Sequence, residues 1–523
     1  MACEDTVAHG TEVAENAAAL GRETLIDGQS SDAGGFQVRA VITMFGCMLA
    51  AMLFAGSSCV EIDFNRVCGP IKPLNGVNNS PVKHVHPNGY KEDVSVQTEL
   101  DEIGVPFCRL HDAVGAFGGA HYVDVGNVFP DFSADETRAA NYDFAFTDAY
   151  LKSFLKTKVE IFYRLGCTIE NECGVKSYNR LVPSDPQKWA RVCEHIVRHY
   201  TEGWADGYRW NMRYWEIWNE PDGRGACWAG TQQQFFELYR ITANHLKTCF
   251  PDLKVGGYGS VGFYSVDDPG HKTWGVGKRD TAKYAEDFFR YISSDKTRAP
   301  LDFFTWHIYI RYAKSNPLRI KVHAEHCRRL LDRYGFHEAE SILGEWNCLE
   351  DVNTPGVKIK DWDALKEMTC GAPIAGVLSV LQYAPVDMAL YYAAQPDAKY
   401  CGLFYWPSER TTPVYEVFRV FSEFRRMGIA VKAVSDDVDV FALAAKDDGG
   451  RKAFYVVNAS PSDKPTVVPV VAGADGTFEM VSLDPEHATP TPVGLWRSGE
   501  GIRLGPHAMR VFRLRRDLKG NAE

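Results

Sequence analysis

The sequence predicts a (β/α)8 TIM barrel followed by a small C-terminal β-sandwich, an α/β fold class. Three observations predict it. Short apolar runs alternate with amphipathic helical patterns eight times over about 360 residues, the rhythm of strands each followed by a crossover helix. No Gly-rich phosphate loop follows an early strand, as a doubly wound open sheet would usually bring. After Gly428 the helical period stops, and short strand-like runs broken by Asp-Gly and Pro turns take over. The chain divides accordingly into a polar leader with an apolar segment (1–58), one strand destined for the sandwich (59–70), the barrel (71–430) and the sandwich (431–517).

The elements follow in order. Glu61-Ile62-Asp63-Phe64 alternates as a strand does. The barrel runs are then Ile71 to Asn79, Val105 to Asp112, Val159 to Arg164, Tyr214 to Glu220, Leu253 to Tyr258, Leu301 to Tyr309, Ser341 to Asn347 and Asp387 to Tyr392. The clearest helix opens at Asp185-Pro186, an N-cap with a first-turn proline, and carries Trp189, Val192, Cys193, Ile196, Val197 and Tyr200 on one face. Thr231 and Gln234 have the spacing of a capping box. Further helices are expected at Ala282 to Ser293, after Pro317 with Gly335 closing it, near Pro373 to Gln382, and at Tyr415 to Met427 before Gly428. In the tail, Val438 to Ala444, Ala453 to Asn458 and Arg510 to Leu514 read as strands.

Composition narrows the function. Hydrophobic residues make up 45% and charged residues 24%, which suits a globular body. A net charge of −11 argues against nucleic acid or an anionic membrane as the main partner. The 14 cysteines contain no C-x-x-C pair, so neither a zinc site nor a disulfide framework is expected. His84-Val85-His86 has metal-like spacing but no third ligand near it, and no metal or cofactor is expected. The run from Ala40 to Ala55 is short for a membrane span and suits a signal-peptide core, although about 37 residues precede it. Export or lipid anchoring and a cytoplasmic location both stay open, as does self-association into a homo-oligomer.

Two stretches carry the chemistry. Tyr214-Trp215-Glu216-Ile217-Trp218-Asn219-Glu220-Pro221-Asp222 is an aromatic strand that ends in Asn-Glu-Pro, with proline stopping the ladder. Ser341-Ile342-Leu343-Gly344-Glu345-Trp346-Asn347 repeats that grammar. Barrel chemistry sits at the C-terminal ends of strands. Those ends gather Asn78, Asn79, Arg109, His111, Asp112, Arg164, Asn219, Glu220, Tyr258, His307, Tyr309, Glu345, Tyr391 and Tyr392. So many hydrogen-bonding groups on one rim suit a polyhydroxylated ligand, and paired carboxylates suit glycoside cleavage. Bland readings stand beside these. Arg109 also fits a core ion pair, and His111 and His307 fit satisfied core histidines. Trp346 and Trp406 fit packing as well as sugar platforms, while Glu170 and Asn171 fit either a loop or a substrate contact.

The set Asn219-Glu220-Pro221 and Glu345-Trp346-Asn347 resembles the fourth- and seventh-strand signatures of clan A retaining glycosidases. With Lys72 to Asn79, Arg109-Leu110-His111-Asp112, Trp306-His307-Ile308-Tyr309 and Pro413 to Phe418, the closer likeness is to glycoside hydrolase family 39, which includes β-xylosidases and α-L-iduronidases. It covers roughly residues 60 to 515. The resemblance implies Glu220 as acid/base and Glu345 as nucleophile. It also implies Asn219 on the sugar 2-hydroxyl, and Tyr309 or His307 steadying the nucleophile. Asn79, Arg109, His111, Asp112, Trp346 and Trp406 complete the expected substrate-binding set. The family often has Thr-Glu-Phe-Asn where this chain has Gly344-Glu345-Trp346-Asn347, a departure that bears on sugar preference. The expected function is an exo-acting retaining hydrolase of β-xylosides or arabinose-containing plant glycans. The alternatives are a catalytically inactive carbohydrate-binding barrel, or a transglycosylase using the same residues.

Overall fold

A computed structural model describes residues 57–79, 96–111, 123–168, 180–223, 227–269, 271, 279–310, 316–349, 362–396, 399–406 and 408–515. Strand β1 (Ser58–Pro70) opens it. Eight parallel strands then close a barrel in chain order: β2 (Gly76–Asn78), β3 (Phe107–Leu110), β4 (Glu160–Leu165), β5 (Tyr214–Ile217), β6 (Lys254–Ser260), β7 (Phe303–Ile310), β8 (Glu340–Cys348) and β9 (Met388–Tyr391). The ring is sealed where Gly76 and Val77 of β2 pair with Leu390 and Tyr391 of β9. Each strand is followed by a helix: α1 (Gln97–Glu102), α2 (Ala145–Lys152), α3 (Pro186–Thr201), α4 (Gln232–Cys249), α5 (Thr281–Ser293), α6 (Leu318–Arg333), α7 (Met368–Tyr383) and α8 (Pro413–Met427).

Local sequence sets the helix ends. Asp185 accepts the Lys188 N–H at 2.9 Å, with Pro186 in the first turn of α3. Thr231 and Gln234 form the expected capping box on α4, with reciprocal bonds of 3.2 and 2.8 Å. Thr412 caps α8 before Pro413, so that helix begins two residues ahead of the expected Tyr415. The largest difference is α7, which starts at Met368 and carries Pro373 inside it rather than at its start. This helix is buried almost all round, because it lies between the barrel and a second sheet; packing on every side outweighs the helix-breaking cost of one proline.

Inside the barrel the two-residue period of strands builds layers. Phe107, Phe162, Tyr214, Phe303, Ile342, Met388 and Leu390 meet as an apolar plug. Two residues further along, the same faces present Arg109, Arg164, Glu216 and Thr305. The floor of the C-terminal mouth is therefore a buried polar layer resting on an aromatic one.

The second sheet has nine strands in the order β15-β14-β17-β12-β11-β10-β1-β13-β16, where β10 is Ile429–Ser435, β11 Val440–Lys446, β12 Lys452–Asn458, β13 Lys464–Ala472, β14 Thr477–Asp484, β15 His487–Arg497, β16 Ile502–Leu504 and β17 Met509–Leu514. It folds over a core of its own, with Ile62, Phe64, Phe454, Phe478, Trp496 and Phe512 at the centre. Its other face turns Leu443, Tyr455 and Val511 towards the barrel, where the Tyr455 hydroxyl donates to Ala375 O at 3.0 Å on α7. β1 joins this sheet across the chain, antiparallel to β10 and parallel to β13.

Among the described residues no helix is long and apolar enough to cross a membrane. The run from Ala40 to Ala55 and the His84–His86 pair lie outside the described residues.

Because β1 is a central strand, Ile62→Ala should unfold the sheet early, with a loss of about 2–4 kcal/mol in denaturant melts. Truncating the half-exposed Val67 on the same strand should change stability by less than about 0.5 kcal/mol.

Candidate active site

Two backbone irregularities deliver the two glutamates. Strand β5 ends at Ile217, and Trp218 and Glu220 then adopt left-handed φ values of 75° and 47° on either side of Asn219. Such conformations cost of order 1–3 kcal/mol each and persist only where neighbours enforce them. Here the Trp218 N–H donates to Leu165 O at 2.6 Å and the Glu220 N–H to Gly259 O at 2.9 Å, so strands β4 and β6 hold the turn. On β8 the register against β7 slips between Leu343 and Glu345, leaving Gly344 as an extra residue. Simple alternation from the inward Ile342 would send Glu345 outward. The bulge at Gly344 turns it inward instead.

Beneath both lies Arg109, fully buried at the end of β3. Its Nε donates to Glu216 Oε2 at 2.6 Å, Nη1 to Glu345 Oε1 at 2.8 Å and to Asn78 Oδ1 at 3.0 Å, and Nη2 to Asn219 Oδ1 at 2.7 Å. Burial alone would lower the Arg109 pKa, but Glu216 and Glu345 raise it well above its ordinary value. Glu216 is itself completed by the Thr305 hydroxyl, which donates to Oε1 at 2.5 Å.

Glu345 Oε2 accepts the Tyr309 hydroxyl at 2.7 Å. Burial keeps that phenol protonated, with its pKa well above the ordinary range. His307 Nδ1 stands between the two carboxylates, 2.9 Å from Glu220 Oε1 and 3.6 Å from Glu345 Oε2. Burial holds the His307 pKa down at about 4, with Glu345 opposing, so the ring is neutral at neutral pH. His111 Nε2 lies 3.8 Å from Glu345 Oε1. An oxygen of Glu220, an oxygen of Glu345 and a His307 nitrogen all fall within 4.8 Å of one another.

The remaining expectations divide. Asn79, buried just after β2 with φ 54°, has a side-chain oxygen without a hydrogen-bond partner among the described residues. Asn219 likewise keeps its buried Nδ2 donor unused among the described residues. Two expectations need correction. Trp346 is buried on the helix side of the barrel, edge-on to Tyr391 and stacked with Phe418, because the bulge that turns Glu345 inward turns its neighbour outward. Arg109, expected among substrate contacts, lies under the carboxylates with no exposed surface. Of the rim tyrosines, Tyr258 and Tyr391 also pack outward against helices. Trp406 is 49% exposed in the turn after Phe404. Asp112, Glu170 and Asn171 lie outside the described residues.

Several contributors were not anticipated. Gly259 (φ +63°) leaves no room for a Cβ, which would sit 3.0 Å from both Arg109 Nη2 and Asn219 Oδ1. Asn347 donates to Tyr392 O at 2.5 Å and Tyr400 O at 3.0 Å, tying the loop after β9 to the end of β8. Asp222, fully buried, accepts the Ser260 hydroxyl at 2.6 Å and the Val261 N–H at 3.1 Å, fastening the Glu220 turn to β6. As for metal-binding geometry, Glu220–His307–Glu345 and, on α3 and α4, Glu194–His245–Cys249 are close enough to share an ion. In both, the acids already accept hydrogen bonds from protein partners.

Fold and site together define a (β/α)8 barrel with an accessory sheet and facing carboxylates at the C-terminal mouth. Within that class, part of the chain resembles glycoside hydrolase family 39. Residues 119–332 match the sequence profile described as Glycosyl hydrolases family 39. A β-xylosidase of Geobacillus stearothermophilus is 25% identical over 217 residues, which is 40% of this chain and 37% of that protein, well under two thirds of its length. Among solved structures, a glucosidase from Croceicoccus marinus superposes with a TM-score of 0.65 at 20% identity over 88% of this chain and 99% of that one. An α-L-arabinofuranosidase from Thermotoga maritima does so with a TM-score of 0.61 at 15% identity, over 88% and 100%. At these identities the superpositions speak for the fold.

Burial pushes the Asp222 carboxyl up to about 7, and the nearby Glu220 acts in the same direction. The folded protein therefore keeps a proton that the unfolded chain releases near pH 4, and stability is lost as pH rises from about 4 through 7. Asp222→Asn removes that loss. The stability of the variant relative to the parent should grow by about 2–4 kcal/mol between pH 4 and pH 8, read from melts at both pH values.

Proposed function

We propose that this protein is a retaining, exo-acting glycoside hydrolase that works through a covalent glycosyl-enzyme, with β-xylosides or arabinose-containing plant glycans as substrates. The observation that carries the reading is the gap between the acids: their nearest oxygens lie within 4.8 Å. Retaining enzymes place two carboxyl groups roughly 5–5.5 Å apart, whereas inverting ones leave roughly 6.5–9.5 Å for a water. The β-xylosidase similarity supports the pentose preference.

Each group then has a task. A Glu345 oxygen attacks the anomeric carbon as the bond to the leaving oxygen breaks, and Glu220 gives that oxygen its proton. The product is a glycosyl ester of Glu345. Water next loses a proton to Glu220 and attacks the same carbon, which releases the sugar and restores both acids. Arg109 and Tyr309 hold one Glu345 oxygen each, so the attacking carboxylate needs no reorganisation. Neutral His307 steadies Glu220 without adding a cation between the acids. The unused Asn219 Nδ2 is the donor for a sugar 2-hydroxyl.

Glu345→Ala should lower kcat on an aryl xyloside roughly a thousandfold or more. Added azide should restore turnover as the inverted glycosyl azide. Glu220→Ala should lose about 10²–10⁴ with poor leaving groups, far less with activated ones, and yield the azide of retained configuration. Product configuration is read by NMR. Full activity in Glu345→Ala would overturn the assignment.

A further inference from the structure

We propose that Tyr400 and Trp362 form a second sugar-binding position on the side of the site away from the leaving group, so that the transferred unit can be a disaccharide. The inference rests on the hydrolase reading above and extends it. A continuous series of aromatic rings leaves the pocket from the Glu345 side. Tyr309, bonded to Glu345 Oε2, stands edge-on to Tyr392 with ring centres 6.4 Å apart. Tyr392 also neighbours His111 at 6.5 Å. Beyond it come Tyr400 at 5.4 Å from Tyr392 and Trp362 at 5.2 Å from Tyr400.

Glu345 and Tyr392 are buried, at 4% and 9% exposure, Tyr309 and Trp362 are partly buried, and Tyr400 is the most exposed member at 37%. The series thus reaches solvent at Tyr400, while Trp362 rests partly against the main core. The rings are also held in place. Asn347, two residues past Glu345, donates to the carbonyls of both Tyr392 and Tyr400, and the Ala393 N–H donates to Tyr400 O at 3.3 Å. Trp362 opens a short helical turn (Trp362–Lys366) whose buried Lys366 ammonium reaches back to the Trp362 carbonyl at 3.3 Å.

Pre-set aromatic faces of this kind match the C–H face of a pyranose, which buries apolar area while leaving hydroxyls to water. Direction follows from the acids. The leaving group must depart beside Glu220, the proton donor, whereas the aromatic series starts at Glu345 through Tyr309. A ring lying on Tyr400 and Trp362 is then attached to the sugar being transferred.

The test uses the whole protein, 4-nitrophenyl β-xyloside and 4-nitrophenyl β-xylobioside, with products separated chromatographically. The parent should release nitrophenol together with intact xylobiose. Trp362→Ala and Tyr400→Ala should slow that release about tenfold, shift the first product to free xylose, and leave kcat/KM on the simple xyloside unchanged. Trp362→Phe keeps a ring and should stay near the parent. Xylose as the only first product from the parent, or equal losses on both substrates with normal melting, would overturn the proposal. Absence of turnover on the simple xyloside would instead count against the hydrolase reading itself.

Discussion

The constraint on which the site depends is one buried cation. Arg109 sits in the barrel interior with no exposed surface and answers four acceptors at once, on β2, β5 and β8 and in the turn after β5. An isolated guanidinium there would be prohibitively unfavourable, and a single carboxylate partner would leave most of its N–H groups unsatisfied. The planar fork lets one side chain bind in several directions with little further ordering, which a lysine could not do. Glu216 supplies a permanent counter-charge. The second interaction, with Glu345, therefore serves to orient a carboxylate rather than to neutralise the arginine. The aromatic plug below keeps water from reaching this layer from the other end of the barrel.

Geometry around that cation follows from positions where regular strand structure fails. A straight β8 would point Glu345 at the helices, and a relaxed turn after β5 would not present Glu220 across the mouth. The extra residue at Gly344 and the left-handed pair at Trp218 and Glu220 correct both. Their conformational cost is met by the carbonyls of Leu165 and Gly259 and by the packing of Trp218. Gly259 then lets Arg109, Asn219 and His307 converge in a space that a single methyl group would fill.

Much of this was legible in the sequence, and the physical reasons for the limits are specific. Eight buried parallel strands read as eight apolar runs, and helix caps such as Asp185 and Thr231 announce themselves because capping needs particular side chains at fixed spacing. The glutamates stood out because each ends such a run. What alternation cannot reveal is a bulge, so the sequence leaves Trp346 open between sugar platform and packing, and the structure turns it towards α8. Most of the second sheet escaped for a different reason. Strand β15 is exposed along nearly its whole length and carries no apolar period, and β16 is only three residues long. Glu216 and Thr305 look like ordinary strand residues, since only closure of the barrel brings them to Arg109.

The neutral state of His307 ties these levels together. Its Nδ1 faces both acids, an arrangement that in water would favour imidazolium. The surrounding burial outweighs that attraction and holds the ring uncharged down to about pH 4. In the proposed mechanism, a cation at that point would pair with Glu345 and Glu220 together and compete with the developing positive charge on a sugar ring held between them. A neutral ring supplies hydrogen bonding without that competition. The burial responsible comes from the same tight layer, because the prospective Cβ positions of Gly344 and Gly259 both lie within 3.3 Å of His307 Nε2. The glycines that allow the polar residues to converge thus also set the charge state of the histidine between the two acids.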